Sequence, residues 1–285
     1  MKIRYPLRWG LLCMLLAGCG PGAESSAQMD AEPQQAAGLE QTDGAVEAQS
    51  TSAAGEIEEN AVTLLKQMTS KVASLPQFAL TMETGFDVLQ PSGQKVEFGS
   101  RRTAAILRPD RARLTFEARS GLAGELVFDG TNINAYDREQ NVYASVAQPG
   151  DIDAAIDLVT GELGISVPAS DFFAADPSIA LAAGVTEARD LGPSTIDGQP
   201  GHHIALRKPG VDYQIWINEA TSLPVRVVIT YHEEPGQPQF WAQFLQWETA
   251  PTGSDAAFEF SPPEGSERIR FGLFDASAEA SEEAL

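Results

Sequence analysis

The chain has 285 residues, 43% apolar and 8% aromatic, which suffices for one large domain or two small ones with a substantial core. Forty acidic side chains against nineteen basic ones give a formal charge of −21, a surface that repels nucleic acid and anionic headgroups. Only two cysteines occur, Cys13 and Cys19, so the fold is expected to hold by packing rather than by disulfides.

The first residues set the compartment. Lys2, Arg4 and Arg8 precede an apolar run over residues 9–16, too short to span a bilayer, and Leu16-Ala17-Gly18-Cys19 follows. This pattern predicts a secretory leader over residues 1–18. Its last four residues resemble the bacterial lipobox, and that resemblance implies cleavage before Cys19 and its modification with lipid. An ordinary leader with a chance cysteine is the alternative. In lipobox proteins an aspartate after the cysteine signals retention at the inner membrane; Gly20 does not match it, which implies the outer membrane, facing the periplasm. Losing the leader leaves 16 basic against 40 acidic residues, a charge of −24, so attachment to the membrane would depend on the acyl chains at Cys19.

Residues 19–55 are rich in Ala, Gly, Ser, Gln and Glu, and contain no Lys or Arg. They are predicted to be a disordered tether from the anchor, with an r.m.s. span of about 30 to 36 Å. Over residues 56–75, Ile57, Ala61, Leu64, Leu65, Met68, Val72 and Leu75 recur at helical spacing and Pro76 ends the run, predicting an N-terminal amphipathic helix that covers the core of its own domain.

The clearest pattern follows. Phe78, Leu80, Met82, Thr84, Phe86 and Val88 alternate with more polar neighbours, then Val96, Phe98, Ser100, Ala104 and Ile106, then Ala112, Leu114, Phe116 and Ala118. Three long antiparallel strands result, with three shorter ones over residues 124–129, 132–137 and 141–146. Arg102 interrupts the apolar register, and a bulge, a rim residue or a buried ion pair each accounts for it.

At Gly150 the rhythm becomes helical. Asp151 caps a face of Ile152, Ala155, Ile156, Val159 and Leu163, Phe172 and Phe173 lie between, and Asp176-Pro177 opens another helix. Such an insertion is expected to cover the sheet as a lid. Strands resume over residues 185–191, 194–196, 203–208, 211–218, 223–232 and 239–248, the last apolar at both parities and so expected to be covered on both faces. Residues 275–285 read as a disordered acidic tail.

Phe128-Asp129-Gly130, Tyr136-Asp137, Val142-Tyr143, Gln214-Ile215-Trp216-Ile217, Leu223-Pro224 and the run from Phe258 to Gly265 resemble the periplasmic family called domain of unknown function 2092. More distantly the order of elements resembles the LolA, LolB and LppX lipoprotein-carrier superfamily. That resemblance implies an α+β fold over residues 56–274, a strongly curved antiparallel half-barrel of about eleven strands with a helical lid and an apolar interior that holds acyl chains. In that fold Leu80, Met82, Phe86, Phe98, Leu114 and Phe116 would line the concave face, with Phe172 and Phe173 on the lid. Alternation alone leaves open whether such an interior is hollow or filled.

The expected ligand is a lipid or lipoprotein acyl chain, and the other reading is an envelope sensor that binds a protein partner. Ten buried methylenes would contribute about 8 kcal/mol against association costs of about 4 to 15 kcal/mol, so binding would be weak to moderate. Catalysis is not expected. Adjacent His202 and His203 point to opposite faces of a strand, and no Gly-x-Ser-x-Gly elbow, phosphate loop or His-Glu-x-x-His occurs. No metal, nucleotide or redox cofactor is indicated.

Overall fold

The computed structural model describes residues 56–165, 167, 169–251 and 255–271. The predicted leader, the Cys19 anchor, the tether over residues 19–55 and the acidic tail lie outside the described residues.

Helix α1 (Glu59–Ala73) buries Ala61, Leu65, Met68, Thr69 and Val72, a stripe one side wide, and Pro76 follows its end. Six strands run on as a meander: β1 (Gln77–Leu89), β2 (Lys95–Leu107), β3 (Arg111–Ala118), β4 (Ala123–Phe128), β5 (Asn132–Asp137) and β6 (Val142–Ala147). The insertion follows. It comprises α2 (Ile152–Asp157), a π-turn at Leu158–Glu162, a 3-10 turn at Ser170–Phe172, and α3 (Pro177–Ala182). Asp151 and Asp176 cap α2 and α3 as predicted, accepting from the N–H of Ala154 and of Ser178.

A second meander contains β7 (Glu187–Ile196), β8 (Gln199–Lys208), β9 (Val211–Asn218), β10 (Pro224–Tyr231) and β11 (Gln239–Glu248). The segments predicted at 185–191 and 194–196 form one strand, its register shifting between Asp190 and Gly192. The two meanders join where β1 pairs with β11, and the order is β12-β6-β5-β4-β3-β2-β1-β11-β10-β9-β8-β7. The insertion leaves the sheet beside one edge, after β6, and re-enters at the opposite edge, at β7. Ten strand spacings of about 4.8 Å separate those points, so the connection has to cross a face of the sheet.

The strongly curved antiparallel half-barrel is not what forms. The sheet is open and mixed: β12 (Glu267–Ile269), which the sequence reading missed, pairs with β6 in parallel, and β7 and β12 remain separate edges. The physical reason is that one face is filled by α1 and the insertion, so the sheet needs neither closure nor tight curling to bury its apolar side. Alternation records which face is buried and is silent on how far a sheet bends.

The core lies under those helices and includes fully buried Phe78, Met82, Ile106, Ile204, Ile215, Phe240 and Phe244. Strand β11 is covered on both faces only in part. Trp241, on the outer side, lies against Gly85, where an added Cβ would sit 2.4 Å from its Nε1, and Arg226 covers its ring at 5.0 Å. Leu245 is 40% exposed.

Candidate functional site

The inner face can be read row by row from the strand register, because directly paired residues share a face. One row places Ile106 between Phe78 and Ala112, the next Ala104 between Leu80 and Leu114, and the next Arg102 between Met82 and Phe116. Across β4 the first two rows continue to Phe128 and Leu126. Both ladders of β2 pass Arg102 without a shift, so no bulge accounts for it.

Between this part of the sheet and the insertion lies a wholly apolar cavity of about 40 Å³. The sheet contributes Ile106, Ala112, Leu114, Leu126, Phe128 and Ile133 to its wall. The insertion closes it with Ile152, Ala155, Ile156, Val159, Val167 and Phe173. That volume is far below the roughly 300 to 1,000 Å³ of sites that hold a small ligand, so the space between this part of the sheet and the insertion is nearly filled. A larger depression of about 480 Å³ opens on the surface between α1 and α3, lined by small and polar residues such as Thr69, Ser70 and Ser178.

The eight apolar residues expected to line one cavity are distributed among four places. Leu114 and Phe173 border the 40 Å³ cavity. Leu80, Met82 and Phe172 are buried beside it, where Phe172 packs on Phe244 with ring centroids 5.8 Å apart and Met82 pairs with Phe244 across the ladder. Phe86 and Phe98 stack on each other at 5.9 Å, eight residues along β2 from Ile106 and so about 27 Å away. Phe116 is 39% exposed. Gly124 gives its ring room, since a Cβ there would lie 2.8 Å from Phe116 Cε1. The sequence reading left Leu126, Phe128 and Ile133 out of the site, although their alternation in β4 and β5 carried the same signal as that of β1 to β3.

The insertion is held mainly by apolar contact. Ile152, Val159, Phe172 and Phe173 are buried, and Ala169 takes a positive φ of 62°, a strained setting for a residue with a side chain. Among the described residues, polar ties to the rest of the domain include the Ile152 N–H, which donates to the Pro109 carbonyl at 2.9 Å, and Lys208, which donates to the Ala180 carbonyl at 2.6 Å; within the insertion Asp153 accepts from the N–H of Ala175. Burial pushes the Asp171 carboxyl above the usual carboxylate range, with the Lys208 charge pulling the other way.

The histidines do not meet. His202 lies 3.5 Å from Glu219, His203 stacks on Trp216 with centroids 4.0 Å apart, and His232 pairs with Asp212 at 2.9 Å. Burial lowers the His203 pKa. Among the described residues no three His, Cys, Asp or Glu side chains are grouped as metal ligands, and no helix is long and apolar enough to cross a membrane.

An open sheet with one apolar face plugged by its own crossing connection defines the class of scaffold. The chain belongs to the family described as predicted periplasmic protein, DUF2092, whose profile matches residues 61–272. Family membership places it in the periplasm. No curated protein matches it in sequence. Among solved structures it is similar to MucB, at 14% identity and a TM-score of 0.38 over 72% of this chain and 64% of that one. It is also similar to the lipoprotein LppX of Mycobacterium tuberculosis (14% identity, TM-score 0.39, 68% of this chain and 97% of that one). LprF of Mycobacterium bovis gives 15% identity and a TM-score of 0.40 over 74% of this chain and 100% of that one. The chain therefore spans less than two thirds of the length of MucB.

Proposed function

We propose that this protein is an outer-membrane lipoprotein, anchored through Cys19 and tethered by residues 19–55, that binds a lipid or lipoprotein acyl chain along the inner face of its sheet. The role is binding rather than catalysis. The observation that carries it is the wholly apolar cavity between β2 to β5 and the insertion, too small for a ligand with the insertion in place. Binding therefore exchanges one apolar filling for another: Ile152, Val159 and Phe173 withdraw, and ligand methylenes, at about 0.8 kcal/mol each, take their place. Leu114, Phe116 and Phe173 would touch the chain. Leu80, Met82 and Phe172 would form the firm floor beside it, and Phe86 and Phe98 would lie at the far end of the path.

The test is native mass spectrometry of the mature chain carrying Cys19→Ser, so that no acyl anchor competes, with organic extraction alongside. Co-purifying lipid that is lost on Leu114→Asp, in a variant that keeps its circular dichroism, is the expected outcome. A chain that arrives empty and takes up neither fatty acid nor phospholipid would overturn the reading, leaving an envelope sensor that binds a protein partner.

A further inference from the structure

Arg102 is the one cation on the inner face of the first three strands, between Met82 and Phe116. Its Nε donates to Ser100 Oγ at 3.0 Å and to Thr84 Oγ1 at 3.2 Å, and those two hydroxyls lie 2.9 Å apart. Its fork of terminal nitrogens donates to nothing else among the described residues and is not among the fully buried unpaired atoms, which belong to Arg108, Arg113 and His203. Forty acids are available in this chain, and Arg101 next door pairs with Glu83. No carboxylate among the described residues pairs with Arg102. Burial alone acts on it, lowering its pKa to about 10.

A half-buried cation without a carboxylate partner, between Met82 and Phe116, costs desolvation, and a purely structural role would favour an apolar residue there. A guanidinium fork with two hydroxyls at its base matches the oxygens of a carboxylate or phosphate, which it takes in a bidentate grip. Position gives the rest. Arg102 lies one row, about 7 Å, from the Ala104–Leu114 row that borders the cavity, and the exposed Phe116 ring stands beside it.

Building on the acyl-binding reading, we infer that Arg102, Thr84 and Ser100 form the headgroup site for an anionic amphiphile. Its carboxylate or phosphate is held by the guanidinium, and its chain runs past Phe116 and Leu114 under the insertion. The selected ligand is then an acyl chain with an oxyanion at one end.

The experiment titrates the mature Cys19→Ser chain with hexadecanoate, hexadecyl phosphate and hexadecanol, three ligands with one tail. The parent is expected to bind at least one of the anions tenfold or more tighter than the alcohol. Whichever anion binds tighter separates a fatty acid from a phospholipid as the source. Arg102→Met is expected to bring the anion down to the affinity of the alcohol, leave the alcohol unchanged and keep or raise Tm. Arg102→Lys, which keeps the charge and loses the fork, is expected to fall between. Equal affinity of the parent for all three ligands would overturn the headgroup site while the acyl reading stands. So would an equal loss for all three in both variants, which marks Arg102 as structural. Binding of none by the parent would overturn both readings together.

Discussion

Phe172→Ala tests whether the insertion opens as a unit of its own. The ring is 1% exposed, belongs to the insertion, and packs on Phe244 of β11 at 5.8 Å. Removing a buried phenyl costs about 3 to 5 kcal/mol. If the insertion detaches while the sheet persists, its amides in the parent exchange through a smaller opening than those of β1. Suitable reporters are Leu163, whose N–H bonds to Leu158, and Phe173, whose N–H bonds to Ser170. The substitution should then speed their exchange by a hundredfold to a few thousandfold, at about 1.4 kcal/mol per factor of ten. The loss felt by the sheet cannot exceed the free energy of opening the insertion, because beyond that point the opened form becomes the ground state. Native-state hydrogen exchange against denaturant measures both. Insertion amides with the same opening free energy and the same denaturant slope as β1 in the parent would refute the reasoning, since the insertion would then leave only when the whole domain unfolds.

Other outcomes follow from single contacts. Because burial raises the Asp171 carboxyl above its unfolded value of about 3.9, the folded state holds the proton more tightly. Stability should therefore fall as pH rises from about 4 through the raised value; Asp171→Asn should flatten that slope and raise Tm at neutral pH, and a steeper slope would count against it. Asp151→Ala removes the acceptor for the Ala154 N–H; about 1 kcal/mol, or about 2 to 4 °C in Tm for a domain of this size, should be lost. Gly124→Ala places a Cβ 2.5 Å from the Tyr136 carbonyl oxygen and 2.8 Å from the Phe116 ring. A loss of about 1 to 3 kcal/mol is expected by denaturant titration, and an unchanged midpoint would show that β4 yields freely.

Much of the fold was legible because strands with one buried face announce themselves. Eleven of the twelve strands among the described residues, both aspartate caps and α1 follow from alternation, helical spacing and turn residues. The missing β12 has three residues and two of them are charged, so no period exists to detect. Strand order was harder. That β1 pairs with β11 depends on two meanders meeting across 150 residues of sequence, which no local pattern states. The half-barrel failed for a related reason: period two assigns Leu80, Met82 and Leu114 to one face, and the same pattern serves a curled hollow sheet and an open filled one. Phe86 and Phe98 share that face too, yet stand about 27 Å from Ile106 along the strand. A shared face is therefore weaker than a shared site.

The filled interior also constrains how any ligand is chosen. An acyl chain that enters an empty apolar cavity gains the full benefit of leaving water, whereas one that displaces Ile152, Val159 and Phe173 returns apolar side chains to solvent as it buries its own. The hydrophobic terms then largely offset each other, leaving little to distinguish one tail from another. Selectivity must come from a group whose pairing is not matched in the empty state, and Arg102, whose fork has no carboxylate partner among the described residues, is such a group on the headgroup reading. On that reading the register break at Arg102, which alternation alone does not explain, marks the residue that would choose among amphiphiles.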